Sequence, residues 1–168
     1  TISAPKFSNS SGFYSDDFSL TLQTDQQDAV IYYTLDGSDP YNMVDGKPAL
    51  SESAMPYTEP ISMYDRSSEP NVYSSYQHSK TAQSITLEMP YYAPNYAVDK
   101  ATVVRAVTVG SNGAYSSIIT NTYLIADSDK LNRYQDISVV SLVTDPVNLF
   151  DAETGIYVSG QQYLDWKN

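Results

Sequence analysis

The chain has 168 residues, a hydrophobic share of 41% and a formal net charge of -11, from 20 acidic and 9 basic residues. This balance argues against a nucleic-acid-binding protein, which needs concentrated Lys and Arg, and against an anionic membrane surface. The chain contains no Cys for disulfides or thiolate metal sites, and no run approaches the ~18 apolar residues of a membrane span. The length suits one ordinary domain, or a small domain with an appendage. Sixteen Tyr, with many Thr, Ser and Val, favour strands over helices.

The first third of the chain predicts three strands. Residues 4–8 form a short strand that Pro5 marks as an edge, and residues 9–12 are a turn. A second strand is predicted where three apolar residues, Phe18, Leu20 and Leu22, alternate with polar ones, so that one face is buried.

Residues 31–35 predict the third strand. Apolar side chains occur at both odd-numbered and even-numbered positions, which is typical of a central strand covered on both faces. Asp36-Gly37 then predicts a tight turn, and Asp39-Pro40 ends the strand.

The middle of the chain is less regular. Residues 40–56 predict a loop with an internal turn at Asp45-Gly46, and residues 57–64 predict an outer strand. Residues 65–80 are polar and without period, which favours an extended excursion. Residues 83–89 alternate again and predict another strand.

Residues 101–109 predict a second buried strand, followed by a hairpin turn at Ser111-Asn112-Gly113 and a last strand over 118–125. The first 125 residues therefore predict an all-β fold. We expect an immunoglobulin-like antiparallel β-sandwich, with an irregular insertion over about 65–99.

A C-terminal extension follows the predicted sandwich. Residues 126–136 are charged and predict a solvated linker, and residues 137–144 predict a strand with buried character. Residues 148–151 suit one turn of helix, residues 155–158 a short strand, and residues 163–166 a helix.

Several spaced motifs in the first 125 residues resemble the chitobiase/β-hexosaminidase C-terminal-type domain, a small immunoglobulin-like module of bacterial extracellular proteins. The matching residues are Pro5-x-Phe7-Ser8, Gly12-Phe13-Tyr14, Leu20-x-Leu22, Ile31-x-Tyr33-Thr34-x-Asp36-Gly37-Ser38-x-Pro40, Tyr57-x-x-Pro60-Ile61 and Val103-x-Arg105-Ala106-x-x-x-x-Gly110. The resemblance covers about residues 4–125, and the insertion at 65–99 departs from the compact pattern.

A second set of motifs resembles the N-terminal part of CotH-type proteins, which include spore-coat proteins with an atypical kinase domain. The matching residues are Val98 to Ala106, Thr122-Tyr123-Leu124-Ile125, and Ile137 to Thr144 followed by Asp145-Pro146-x-Asn148-Leu149-Phe150-Asp151-x-x-Thr154-Gly155-Ile156-Tyr157-Val158. The resemblance implies that residues 137–168 are the truncated start of such a domain. It also implies that the nucleotide-binding and acid/base residues lie beyond Asn168.

No constellation in the sequence predicts catalysis, a cofactor or a metal ion. Asp36 and Asp39, with other Asp residues near, suggest a Ca²⁺ site, but turn chemistry is the favoured interpretation. His78 is the only histidine and lacks nucleophile-elbow spacing, and Glu52 and Glu59 have no framework to place them across a sugar. Gly110 to Gly113 is a hairpin turn, not a phosphate loop.

The irregular segments are rich in tyrosine, and rigid amphipathic rings can stack on sugars or anchor a protein partner. The candidate ligand-binding residues are Tyr73, Tyr76, Tyr91, Tyr92 and Tyr96. The favoured alternative is that these rings cap the ends of the sandwich and hold the insertion down.

We therefore expect a non-catalytic module that spaces, presents or docks a downstream CotH-type domain, in a secreted or surface-anchored bacterial protein. A chain without initiator Met or a basic-then-apolar start suits a piece whose signal peptide was removed. The alternatives are a carbohydrate-binding module that uses the tyrosine-rich loops, and the accessory part of a CotH-type kinase. Possible partners are the downstream domain, glycans or a surface protein.

Overall fold

The computed structural model describes residues 2–73, 94–151, 153–157 and 161–167. Contacts divide the chain into two compact units. The sandwich unit contains Thr1–Arg66 and Asp99–Val143, and the second unit contains Ser67–Val98 and Thr144–Asn168. In this division residues 126–143 cluster with the sandwich, while a separate CotH-type domain from residue 137 stays a prediction.

The described part of the sandwich unit is built from eleven short strands in four sheets. They are β1 (Lys6–Phe7), β2 (Gly12–Tyr14), β3 (Phe18–Leu20), β4 (Leu22–Gln23), β5 (Val30–Thr34), β6 (Tyr41–Val44), β7 (Lys47–Leu50), β8 (Met55–Pro56), β9 (Ile61–Met63), β10 (Ala101–Val109) and β11 (Ile119–Ile125). The main sheet has five strands in the order β2-β11-β10-β5-β8, and the two-stranded sheets are β1-β4, β3-β9 and β6-β7. The predicted all-β sandwich is confirmed.

The core lies between the main sheet and the short pairs β1-β4 and β3-β9. Leu20, Leu22 and Met63 come from the short pairs, and each is at most 4% exposed. They pack with buried residues of the main sheet, which are Ile31, Val104, Ala106, Tyr123 and Ile125. Apolar side chains from both layers are thus removed from water together, which is the main driving force for this fold.

The predicted central strand at residues 31–35 is β5, and it has a neighbour on each side. It pairs antiparallel with β10, with Arg105 opposite Thr34 and Val109 opposite Val30, and with the two-residue strand β8. Ile31 and Thr34 point to opposite faces because strand side chains alternate, and both are buried. The prediction of a strand covered on both faces is confirmed for these two residues.

Strand β2 was not predicted, since Gly12 belonged to an expected turn. It pairs parallel with β11, with Gly12 opposite Tyr123 and Tyr14 opposite Ile125. This pair is the one exception to the predicted antiparallel arrangement among the strand pairs of the described residues. The first and the last strand of the main sheet are therefore neighbours.

The predicted loop at residues 40–56 is mostly a hairpin. Strands β6 and β7 pair antiparallel around Asp45 and Gly46, whose φ angles are 51° and 73°. Two successive positive φ angles define the type I′ turn that matches strand twist. The turn prediction is confirmed, and the loop prediction is wrong at its flanks because Asn42 and Pro48 hide the strands from a pattern search.

The predicted solvated linker at 126–136 contains short helical elements. A short helix α1 covers Ser128–Leu131, and a 3₁₀ turn covers Asn132–Tyr134. The Asp127 side chain accepts a hydrogen bond from the backbone N–H of Lys130 at 2.9 Å, which is the usual way to satisfy a helix N-terminus.

The predicted strand at 137–144 does not form among the described residues. Ile137, Val139, Val140 and Leu142 are 58%, 49%, 86% and 76% exposed. The apolar pattern is that of a strand, but pattern alone cannot supply the neighbouring strand that pairing requires.

The second unit contains two described helices, α2 (Val147–Phe150) and α3 (Gln161–Lys167). Both were predicted to within a few residues. The predicted strand at 155–158 is wrong over its described residues, because the chain turns back onto α2, with Tyr157 N donating to Leu149 O at 2.9 Å. The predicted strand at 83–89 lies outside the described residues.

Candidate functional site

The most connected polar cluster of the sandwich unit is the turn at residues 36–40, which follows β5. The Asp36 Oδ1 accepts hydrogen bonds from the backbone N–H of Ser38 at 3.0 Å and from the Ser38 hydroxyl. The Thr34 hydroxyl is buried and donates to the Ser38 carbonyl at 2.7 Å. Gly37 has a φ of 87°, which only glycine adopts readily, so these residue types specify this turn.

Arg105 on β10 ties the turn to the main sheet. Its guanidinium donates to the Gly37 carbonyl at 2.9 Å and to the Thr120 hydroxyl at 3.2 Å. Its Nη2 also lies 2.5 Å from the Asp39 Oδ1 in an ion pair whose angles are not those of a hydrogen bond. One planar, multidentate donor therefore holds two residues of the turn together with Thr120, which is distant in the sequence.

These contacts give each of the aspartates a structural role. Asp36 acts as a turn former and Asp39 as an ion-pair partner, while Asp45 lies in the tight turn of the β6-β7 hairpin. Within the described residues, no group of three or more His, Asp or Glu side chains is arranged to hold a metal ion. The turn interpretation explains the positions of these carboxylates.

A second polar cluster lies where the chain leaves the sandwich, and we call it the junction (residues 126–134). The Lys130 Nζ donates to the Asp65 Oδ2 at 2.9 Å, and the Tyr134 hydroxyl donates to the Asp99 Oδ2 at 2.7 Å. The Tyr134 ring also stacks on Phe13 of β2, with ring centroids 5.5 Å apart. Sequence reasoning missed the junction, because Lys130 and Asp65 are 65 residues apart.

The two carboxylates that bind the junction lie at opposite ends of the predicted insertion. Asp65 lies at the start of the predicted insertion (65–99), and Asp99 lies at its end. One short element thus binds both ends of that insertion within the sandwich unit.

The contacts of the junction shift two pKa values in the same direction. The hydrogen bond to Asp65 raises the pKa of the Lys130 ammonium, and the hydrogen bond to the Asp99 carboxylate raises the pKa of the Tyr134 phenol. In the core, burial raises the pKa of Tyr123 and of Tyr33. All four groups therefore hold their protons more tightly in the folded chain.

We expect the stability to fall as the pH rises above about 10, the ordinary pKa of Tyr. A group whose pKa is higher in the folded chain than in the unfolded chain stabilises the fold. This contribution is fully present below the pKa of the unfolded chain and is lost as the pH rises through the pKa of the folded chain. The loss grows with each proton that only the folded state retains. Denaturant midpoints between pH of about 9 and 11 measure it, and a midpoint that stays constant over this range would contradict the expectation.

Two of the five candidate ligand-binding tyrosines are described, and both lie in the second unit. Tyr73 is 48% exposed and stacks on Phe150 with centroids 5.5 Å apart, while Tyr96 is 60% exposed. The Asn71 side chain donates to the Tyr96 carbonyl at 2.9 Å and so fixes the backbone there. The other three tyrosines, Tyr76, Tyr91 and Tyr92, lie outside the described residues, as does His78.

A small aromatic cluster forms within the second unit. The Phe150 ring stacks on Tyr73 and meets Tyr157 edge to face, with centroids 5.5 Å apart in each pair. Tyr73 thus has a structural contact with Phe150.

In the described part of the chain, no helix has the length and apolarity needed to cross a membrane. Neither the search of curated proteins nor the search of solved structures finds a match.

A scan of protein families matches residues 20–123 to the model described as "Fn3 associated". The match begins at the buried Leu20 of β3 and ends at the buried Tyr123 of β11, so it contains the turn at 36–40 and Arg105. The predicted resemblance to an immunoglobulin-like β-sandwich module is confirmed at this level, and no comparison supports the CotH-type resemblance. The chain belongs to the Fn3-associated family.

Proposed function

We propose that this chain is a non-catalytic accessory module that fixes the position of the segment following its sandwich. The junction is the observation that carries the proposal. A spacer with a flexible connection needs no contacts after its last strand, whereas this chain makes several of them within residues 126–134.

The contacts begin directly after β11. Ala126 is 1% exposed, and its backbone N–H donates to the Tyr14 carbonyl at 3.1 Å, which extends the pairing of β11 with β2. The capped helix α1 then brings Lys130 to Asp65, and the 3₁₀ turn brings Tyr134 to Asp99 and to the Phe13 ring. Each contact removes freedom from the backbone, so together they define the direction in which the chain leaves the sandwich.

The partner that this module would present is a CotH-type domain, in a secreted or surface-anchored bacterial protein. The motif from Ile137 to Val158 supports this part of the proposal. Family membership supports only the accessory-module part of the proposal and says nothing of a CotH-type partner. In a parent protein of kinase type, the module would be the accessory part, and phosphoryl transfer would belong to the domain that it presents.

The junction is tested by removing the Tyr134 ring. We expect Tyr134→Ala to speed amide exchange of residues 128–134 about thirtyfold, because an aromatic pair and a hydrogen bond each contribute about 1 kcal/mol. Tyr134→Phe, which keeps the stack on Phe13 and loses only the bond to Asp99, should give an intermediate rate. Unprotected amides over 128–134 in the unmodified chain would overturn the fixed junction.

The non-catalytic part of the proposal has a separate test. The purified chain should neither hydrolyse chitin oligosaccharides nor transfer phosphate from ATP. Either activity, retained after repurification and lost on unfolding, would contradict an accessory role.

A second candidate function is carbohydrate binding, and the exposure of Tyr96 is the observation that favours it. An aromatic ring that is 60% exposed offers a face on which a sugar ring can stack. Titration of a glycan panel would detect such binding. The candidate is eliminated if binding is unchanged by Tyr96→Ala and by Tyr73→Ala combined with Tyr76→Ala.

A further inference from the structure

The inference concerns residues 137–143, which we call the exposed segment. It has the sequence Ile-Ser-Val-Val-Ser-Leu-Val and follows the junction within the sandwich unit. Its four most exposed apolar side chains are 49% to 86% exposed. Contiguous apolar exposure of this kind marks interaction sites in soluble proteins, whereas single exposed residues do not.

Most of the backbone of the exposed segment has no backbone hydrogen-bond partner among the residues that the structure describes. Only its first residue, Ile137, takes part in a recorded backbone hydrogen bond, donating to Tyr134 O at 3.4 Å, and no such bond joins residues 138–143 to the rest of the described chain. The Ser141 hydroxyl lies 2.9 Å from the Thr122 hydroxyl, which places this part of the segment beside β11. Its N–H and C=O groups can therefore pair with an added strand.

The side chains of the exposed segment suit strand pairing better than helix packing. Val and Ile are strong strand formers, and apolar residues occur at both parities. A strand of this kind buries both faces when it is paired. The segment contains no charged residue and no Pro, which are the residues that natural edge strands use to prevent pairing.

Charge indicates what kind of strand fits. The exposed segment is uncharged, but Asp136 precedes it and Asp145 follows shortly after it in the sequence. Residues 134–166 contain no Lys or Arg, and their acidic residues are Asp136, Asp145, Asp151, Glu153 and Asp165. A partner strand with basic ends would meet an opposite charge at each end of the pairing.

The same charges disfavour a second copy of this chain. Antiparallel self-pairing that matches all of residues 137–144 would place Asp136 opposite Asp145 at both ends, and like charges directly opposite destabilise a strand pair. Each copy also carries a net charge of -11, so association would bring two strongly acidic molecules together.

We propose that the exposed segment is a strand-addition site for a partner polypeptide, whose strand has an apolar centre and Lys or Arg at its ends. Backbone hydrogen bonds supply the pairing, and the acidic ends select a basic partner. The proposal does not depend on the CotH-type identity of any downstream domain.

The test uses the full 168-residue chain and three labelled synthetic peptides. The first has an alternating Val/Thr centre with two Lys at each end, the second has Glu in place of Lys, and the third is the first with a central Pro. We expect the Lys peptide to bind at least about tenfold more tightly than the Glu peptide, because opposite charges replace like charges at both ends. The Pro peptide should bind weakly, since Pro removes a donor from the ladder.

A variant and its control locate the binding. Val140→Asp combined with Leu142→Asp should abolish peptide binding without changing the melting temperature, because both side chains are largely exposed. The matched control is Val44→Asp on the β6-β7 hairpin, which is 56% exposed and should leave binding unchanged. In the unmodified chain, amide exchange of residues 138–143 should slow when the Lys peptide is bound.

Four results would overturn the proposal. They are equal binding of the Lys and Glu peptides, no binding of either peptide, binding without amide protection at 138–143, and a dimer in sedimentation that the double variant abolishes. The last result would assign the exposed segment to a second copy of this chain.

Discussion

Replacement of Tyr123 by Ala should lower the free energy of unfolding by about 3–5 kcal/mol, the range measured for large aromatic truncations in cores. Tyr123 is fully buried, and its ring contacts Phe18 and Tyr14 at centroid distances of 5.7 and 6.0 Å. The substitution removes a ring that both layers of the sandwich share. A shift of the denaturant midpoint at constant slope would measure the loss.

Tyr123→Phe separates the hydroxyl from the ring. The hydroxyl donates to the Asn9 carbonyl at 2.9 Å and accepts from the Asn121 side chain at 3.0 Å. We expect this variant to lose about 1–2 kcal/mol, since the ring contacts remain while the Asn9 carbonyl loses one of its two donors and keeps the Asn121 side chain at 3.3 Å. If Tyr123→Phe cost as much as Tyr123→Ala, the hydrogen bonds and not the packing would dominate at this position.

Arg105→Met should lower the free energy of unfolding by about 2 kcal/mol. The substitution keeps part of the aliphatic stem but removes the hydrogen bonds to the Gly37 carbonyl and the Thr120 hydroxyl, together with the ion pair to Asp39. The Gly37 carbonyl belongs to a buried residue and would lose its charged donor, which accounts for most of the cost. The Asp39 side chain is 45% exposed, but its Oδ1, which faces Arg105, is buried, so loss of the ion pair adds to the cost.

Two variants serve as controls for Arg105→Met. Lys6→Met breaks an ion pair with Asp25 in which both side chains are about two-thirds exposed, and it should change stability by less than about 0.5 kcal/mol. Asp39→Ala, which removes only one of the three contacts, should cost less than Arg105→Met. Equal effects of Arg105→Met and Lys6→Met would show that the turn at 36–40 does not depend on the guanidinium.

The sequence predicted those features whose physical cause is local. Residues 31–34 are β-branched or aromatic, and Asp-Gly pairs readily adopt the positive φ angles that tight turns require, so β5 and both turns could be predicted. The fold class followed from the repetition of such strands. Strand β2 was not predicted, because it is only three residues long and begins at Gly12, which was expected in a turn.

The features that the sequence could not predict depend on partners distant along the chain. Arg105 was part of a recognised motif, but its approach to Gly37 follows only from the register of β10 against β5. Lys130 was predicted only as one charge of a solvated linker, because Asp65, its hydrogen-bond partner, lies 65 residues away in the chain. The strand predicted at 137–144 failed for the same reason, because periodicity describes what the side chains require and not whether a neighbour is present.

The parallel pairing of β2 with β11 has a mechanical consequence. In a parallel pair, a pull on the N-terminal end of one strand and the C-terminal end of the other slides the strands along each other, so all of their hydrogen bonds are loaded at once. The chain enters this pair at Gly12, the N-terminal end of β2, and leaves it at Ile125, the C-terminal end of β11, so a pull on the chain at these two ends loads the pair in this way. Tension between the two ends of the sandwich would therefore be resisted in shear and not by peeling one bond at a time, which suits a module that works under load.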